Sequence, residues 1–358
     1  MVAGLRLRLR GTVVLTLLYA LVAAALGFAL SALLTGRVVR RAKRAGALDL
    51  PNERSSHRTP TPRGGGLGFV LTCTALLALL ALLDRGGFRL WLALAGAFPV
   101  AWGGWLDDRR SLSPRLRLAV QAAAALWTLL CLGGVPVLDW GPSRWNLGLG
   151  GTMAAALALL WGTNLFNFMD GIDGFAGIEG ASVFLLGGAA FLLRGPVPLG
   201  FLCLGLTGAL GGFLLWNWPP AQIFMGDVGS GFLGFLFAAV ALAGQLGGIP
   251  IPFWMVLGTG FFVDATATLL LRVGTGNSPV QPHREHAYQR LARHGLSHRT
   301  LSLALGSFNA LWGLAALAAL VLAPQALMPL WGASWSAALA VWVLARCLPP
   351  TTDGTRRV

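Results

Sequence analysis

The chain has 358 residues, 56% hydrophobic and 11% charged, with a mean hydropathy of +0.70, which excludes a soluble globular domain and leaves a polytopic membrane protein. The formal net charge of +14 would fit a nucleic-acid partner in a soluble protein. Here the basic residues cluster in short loops between apolar stretches, where they set orientation and meet anionic headgroups, so the partner is the lipid bilayer and not nucleic acid.

A helical span needs about 20 apolar residues. Eleven segments qualify, at 11–35, 66–83, 89–106, 116–134, 151–169, 177–193, 198–216, 229–246, 250–271, 300–322 and 326–345. They predict an all-α, multi-pass fold of about eleven transmembrane helices in one integral-membrane domain over residues 1–358, ending in a tail from 347. With the N-terminus outside, the cytoplasmic side carries 36–65, 107–115, 170–176, 217–228, 272–299 and the tail, and with them most of the 27 Lys and Arg. The positive-inside rule favours that orientation, with the C-terminus cytoplasmic. Arg6, Arg8 and Arg10 precede the first span, but the larger basic cluster follows it, so the span reads as an uncleaved anchor. Cys73, Cys131, Cys203 and Cys347 are scattered without a C-x-x-C pair and read as small core residues, with no disulfide framework or zinc site.

In chain order, the first cytoplasmic loop combines Arg54, His57, Arg58 and Arg63 with the run Gly64-Gly65-Gly66. Cationic donors beside exposed backbone N–H groups suit a phosphate; a positive-inside loop with turn residues is the plainer reading. The third segment ends in Trp105-Leu-Asp-Asp-Arg-Arg110. Adjacent carboxylates diverge on a helix, so Asp107 and Asp108 suit two separate roles, or ion pairs with Arg109, Arg110 or Arg115. On the other membrane face, Trp140 and Trp145 read as interfacial anchors.

The most concentrated polar stretch is Asn164-Leu-Phe-Asn-Phe-Met-Asp-Gly-Ile-Asp-Gly174. A helical turn would put Asp170 and Asp173 on one side, and the glycines admit a close ligand, either a divalent cation or a diphosphate. The alternative is a polar loop that ends a helix. Next comes Trp216-Asn-Trp-Pro-Pro-Ala-Gln-Ile-Phe-Met-Gly-Asp-Val-Gly-Ser230, where Asp227 stands between glycines and Phe224 offers an aromatic face. Asp264 lies inside an apolar segment, a position expensive enough to mark a site; pairing between helices is the reading preferred here. In the last loop, His283 and His286 are three apart and flank Arg284, a set suited to phosphate oxygens or a leaving group, while His294 and His298 read as solvated loop residues.

Taken together and in this order, these motifs resemble the polyprenyl-phosphate N-acetylhexosamine-1-phosphate transferases, over about residues 50–290. The carriers are Asn167-Phe-Met-Asp-Gly-Ile-Asp-Gly174 and Phe224-Met-Gly-Asp-Val-Gly-Ser230. The resemblance implies attack of undecaprenyl phosphate on the β-phosphorus of a UDP-sugar, with Mg²⁺ (or Mn²⁺) as cofactor and UMP as product. It places the enzyme in the bacterial cytoplasmic membrane, with homodimerisation as a family trait. It implies that Asp107 and Asp108 lie near the lipid phosphate, one as base, and that Asp227 holds the metal with them. By the same likeness Asn167, Asp170 and Asp173 form the central motif, Asn217 and Phe224 meet the nucleoside, and His283, Arg284 and His286 form the histidine loop. That loop reads His-Arg-Glu-His here and not three consecutive histidines, which points away from a MurNAc-pentapeptide donor and towards the branch that primes O-antigen chains of lipopolysaccharide.

A polytopic transporter with an anion site is the rival reading, but transporters bind near the midplane and often show internal repeats. No repeat is evident here, and the polar motifs gather at one face. A membrane scaffold is the other rival, and it gives no reason for so many acids on one side.

Overall fold

The computed structural model describes residues 2–46, 60–278, 281 and 283–349, with residues 2–11 described as backbone only. It is helical throughout apart from one hairpin. The elements are α1 (Val2–Arg44), α2 (Leu67–Leu83), α3 (Phe88–Leu94), α4 (Ala97–Arg110), α5 (Pro114–Leu132), the strands β1 (Val137–Asp139) and β2 (Arg144–Asn146), and α6 (Leu149–Met169). There follow α7 (Phe175–Arg194), α8 (Val197–Asn217), α9 (Asp227–Leu246), α10 (Ile251–Leu257), α11 (Thr259–Gly274), α12 (Ala287–Arg293), α13 (His298–Leu322) and α14 (Leu327–Cys347).

Each predicted apolar segment is helical, but the count of spans changes. Among the described residues, eight helices are long and apolar enough to cross a membrane, or up to ten if each bent pair is one span. Segments 66–83 and 89–106 become α2 and a second leg bent from it by 109°, while 250–271 breaks at Gly258 into α10 and α11, bent by 81°. Apolar content alone carries no information on such breaks. The orientation therefore rests on the charge distribution and not on counting spans.

Helix α9 is apolar all round and buried along nearly its whole length, so it forms the axis of the bundle. It packs on α4 and α6, with α2, α7 and α10 completing the ring, while α1 and α14 face outward with long exposed apolar stripes. Two close approaches need glycine. A Cβ at Gly234 would lie 2.0 Å from the Gly162 carbonyl oxygen, which seats α6 against α9, and one at Gly104 would lie 2.3 Å from the Asp227 carbonyl oxygen, which seats the end of α4 against the start of α9. The second contact brings Asp107 and Asp108 to Asp227. Away from that end, β1 and β2 pair antiparallel with Leu138 opposite Trp145. Trp145 is exposed as expected of an anchor, but Trp140 is half-buried, its ring 5.7 Å from that of Trp331 on α14.

Candidate active site

Three helix ends meet at a carboxylate centre. Asp107 from the last turn of α4 and Asp227 from the first turn of α9 stand within hydrogen-bonding reach of each other. Two carboxylates so close need a shared proton or a cation between them. Asn167, in the last turn of α6, donates its amide to Asp227 Oδ1 at 2.9 Å and to Ser230 Oγ at 3.1 Å. Arg117 of α5 reaches Asp107 Oδ2 at 3.0 Å and Asp227 Oδ2 at 3.7 Å. Below this centre a slot of about 70 Å³ runs between α4, α5, α6 and α9, with Gln121 and Asn164 hydrogen-bonded at 2.9 Å on its wall.

Asp107 and Asp108 do diverge. Asp108 accepts the backbone N–H of Asp227 at 3.0 Å and of Val228 at 3.2 Å. It therefore satisfies two of the orphan donors at the N-terminus of α9, and its negative charge complements the positive end of that helix. It thereby docks α4 onto α9.

The central loop does not form the helical turn that would align its two aspartates: α6 ends at Met169, and Gly174, at φ +76°, starts α7. Asp170 stays near the carboxylate centre. Burial, then the charges of Asp227 and, further out, Asp108 and Asp173, push its carboxyl well above the ordinary range, against the pull of Arg63. Asp173 turns away. Its Oδ2 accepts the Ala221 N–H at 3.1 Å and lies 3.4 Å from Nδ1 of His298, while its carbonyl accepts Ser302 Oγ at 3.0 Å. Asp173 thus pins the central loop to the 218–221 loop and to the start of α13. His298, expected in a solvated loop, is the first residue of that helix and is mostly covered.

Asn217 is likewise committed internally. Its Oδ1 accepts the Gly174 N–H at 3.0 Å and its Nδ2 donates to the Ile223 carbonyl at 2.9 Å, so its buried amide joins two loops. Phe224 is half-buried in a short backbone ladder: its N–H donates to the Pro62 carbonyl and its carbonyl accepts the Gly65 N–H, each at 2.9 Å. That ladder carries Arg63 to the carboxylates. Arg54, His57 and Arg58 lie outside the described residues.

The histidine loop packs against the central motif through Phe168. Asp264 accepts the N–H groups of Ala287 at 2.9 Å and Tyr288 at 3.2 Å, so this intramembrane acid caps α12, the structural role preferred from sequence. The buried His286 lies 3.4 Å from Asp264 Oδ1 and stacks between Phe168 and Tyr288; the Tyr288 hydroxyl donates to the Phe168 carbonyl at 3.0 Å. His286 thereby links α12 to the end of α6. His283 and Arg284 are half-buried, the former with its ring 4.9 Å from that of His286. Desolvation, then the charges of His286 and Arg272, lower His283 to about 4, which keeps it neutral at physiological pH.

These residues fit a hard divalent cation in part. Among the described residues no three His, Cys, Asp or Glu side chains converge. Of the expected three-aspartate set, Asp227 and Asp107 stand together, while Asp108 has each oxygen accepting one N–H of α9. Two carboxylates suit Mg²⁺, which is commonly held by one or two acids plus substrate phosphates and water. Arg117 escaped the sequence reading, although its place four residues before Gln121 on a helix after the Asp-Asp pair was a usable signal.

Residues 90–245 match glycosyl transferase family 4, a stretch that runs from α3 to the end of α9 and contains the whole carboxylate centre. The chain is 34% identical to the probable undecaprenyl-phosphate N-acetylglucosaminyl 1-phosphate transferase of Bacillus subtilis, over 75% of each chain. It is 32% identical to the decaprenyl-phosphate N-acetylglucosaminephosphotransferase of Mycobacterium tuberculosis, over 75% of this chain and 74% of the relative. It is also 32% identical to the phospho-N-acetylmuramoyl-pentapeptide-transferase of Synechococcus elongatus, over 71% of this chain and 72% of the relative.

Proposed function

The chain belongs to glycosyl transferase family 4, the polyprenyl-phosphate sugar-1-phosphate transferases, and from that premise we propose that it transfers an N-acetylhexosamine-1-phosphate, or its 6-deoxy counterpart, from a UDP-sugar to undecaprenyl phosphate. An oxygen of the lipid phosphate attacks the β-phosphorus, the bond from that phosphorus to the α–β bridging oxygen breaks, and UMP leaves with the electron pair. The observation that carries this reading is the Asp107–Asp227 pair, with Asn167 and Arg117 on the same two carboxylates. The names of the relatives, two of which act with N-acetylglucosamine, support an N-acetylhexosamine donor. The His-Arg-Glu-His loop supports the branch that starts O-antigen chains.

A phosphate monoester is largely ionised near neutrality, so the barrier lies in bringing anions together. Asp227 and Asp107 would hold Mg²⁺, which when bound supplies charge neutralisation on the diphosphate. Asn167 fixes the rotamer of Asp227, and Arg117 holds Asp107 and offers a guanidinium to an entering phosphate. Asp107 or Asp108 orients or deprotonates the acceptor; the contact of Asp107 with Arg117 supports Asp107 for that part. Arg63, near both Asp108 and Asp170, adds positive potential at the same centre. The site lies at the end of the bundle that carries the basic loops, so it faces the cytoplasm, where the UDP-sugar is available.

The test is Asp227→Asn, which keeps the shape and removes the charge. It should lower UMP release by at least a hundredfold and abolish the response to Mg²⁺; full activity with unchanged Mg²⁺ dependence would remove Asp227 from the metal site.

A further inference from the structure

Helix α6 ends at Met169, and the carbonyls of its last turn have no partner further along the helix. One of them, that of Phe168, is taken by a side chain 120 residues away, since the Tyr288 hydroxyl donates to it at 3.0 Å. The Tyr288 ring is buried, stacked on Phe175 with centroids 5.0 Å apart and on His286 at 5.9 Å. The same hydroxyl sets the path of the central loop, because a Cβ on Gly171 would lie 2.2 Å from its oxygen. One phenol therefore meets both sides of the break between α6 and the central loop.

Tyr288 is itself held from behind. Asp264 of α11 accepts its backbone N–H and that of Ala287. Thr268, one turn along α11, donates to Asp264 Oδ1 at 3.1 Å and accepts the indole N–H of Trp342 on α14 at 2.9 Å. A ladder of hydrogen bonds thus runs from α14 through α11 and α12 to the last turn of α6. That turn carries Asn167, whose amide donates to Asp227 Oδ1 at 2.9 Å. Helix ends fray when their carbonyls lose their partners, and Asn167 and Phe168 share a peptide bond, so the Tyr288 contact governs where the Asn167 amide points.

We propose that Tyr288 is a positioning residue for the transfer: its hydroxyl fixes the end of α6, so that Asn167 keeps Asp227 in the rotamer that takes the cation. The inference rests on the transferase reading and on Asp227 as the metal acid. It extends the centre to a ladder anchored on α14.

The experiment compares Y288F, N167A and the double variant by UMP release, by Mn²⁺ binding without substrate, read from the paramagnetic resonance of the free ion, and by amide exchange. Y288F keeps the ring stack and removes one oxygen. It should lower kcat about tenfold, the scale of one buried hydrogen bond, while the donor KM stays within about twofold. It should also weaken Mn²⁺ binding several-fold and raise exchange across 165–174. Because the effect runs through Asn167, adding Y288F to N167A should cost less than about a further twofold in kcat. Fully multiplicative losses in the double variant, or unchanged Mn²⁺ affinity and exchange in Y288F, would overturn the proposal. So would a raised donor KM with kcat intact, which would place the hydroxyl against the substrate. T268V cuts the ladder one step further back and should show the same pattern with a smaller loss; it carries the test if Y288F does not fold. D227N separates the two claims. If D227N loses Mn²⁺ and activity while Y288F keeps both, the positioning role alone fails; if D227N keeps both, the metal assignment beneath it fails.

Discussion

Arg117→Gln tests the electrostatics of the carboxylate centre. The guanidinium stands 3.0 Å from Asp107 and 3.7 Å from Asp227, and at an effective dielectric of about 20 each contact has a gross attraction of about 4 to 6 kcal/mol. The Arg117 side chain is 40% exposed, so water screens much of that. What remains is the net worth of a charged hydrogen bond, about 1.5 to 3 kcal/mol, or roughly a ten- to hundredfold loss of kcat/KM. The Mg²⁺ response separates this from a folding defect. Removing a cation beside Asp227 makes the site more negative, so half-maximal activity should need less Mg²⁺ even as turnover slows. The assay is UMP release across a Mg²⁺ titration, with Tm measured in parallel. Activity within twofold of the wild type, or a higher Mg²⁺ requirement at unchanged Tm, would refute the placement of Arg117 against both carboxylates.

Other substitutions follow from the same geometry. Asp108→Ala leaves two N–H groups of α9 without their acceptor and should destabilise the protein by about 1 to 3 kcal/mol, seen as a lower Tm; Asp107→Asn should slow turnover with a smaller change in Tm. Because His283 is held at about 4 against an ordinary value near 6.5, the unfolded chain binds more protons between those values. Its contribution is fully present above about pH 6.5 and is lost as pH falls towards 4, so His283→Gln should flatten the decline of Tm over that window, and an identical decline would contradict the shift. Arg290 donates to the carbonyls of Ala345 at 2.8 Å and Leu348 at 2.9 Å, clamping α12 to the end of α14. Arg290→Gln should raise amide exchange across 283–293 and lower kcat several-fold with little change in donor KM; unchanged exchange would show that α14 does not support the loop.

Much of this was legible in the sequence. Helices are set by long apolar runs, and acids where such runs end stand out, so the bundle and the gathering of polar motifs at one face could be read directly, while the grouping of Asp107, Asn167, Asp170 and Asp227 was implied by the family resemblance. What could not be read was the division of labour among like residues. Asp108, Asp173, Asp264 and Asn217 have the same chemistry as the carboxylate centre, yet each is used to satisfy backbone N–H groups at a helix start or in a loop, a choice fixed by tertiary contacts 23 to 120 residues away. Glu179 carries the signal of an acid inside an apolar segment and escaped the sequence reading; it is fully buried and accepts from Asn309 Nδ2 at 2.6 Å, joining α7 to α13. Breaks such as the one at Gly258 depend on packing around α9 and leave no mark on apolar content.

The central claim is the transfer itself. Purified protein with undecaprenyl phosphate, Mg²⁺ and a panel of UDP-N-acetylhexosamines should release UMP and form lipid-linked sugar diphosphate in equal amounts with at least one donor, and neither product should form without Mg²⁺. No turnover with any donor, under conditions in which a glycosyl transferase family 4 relative is active, would contradict the account.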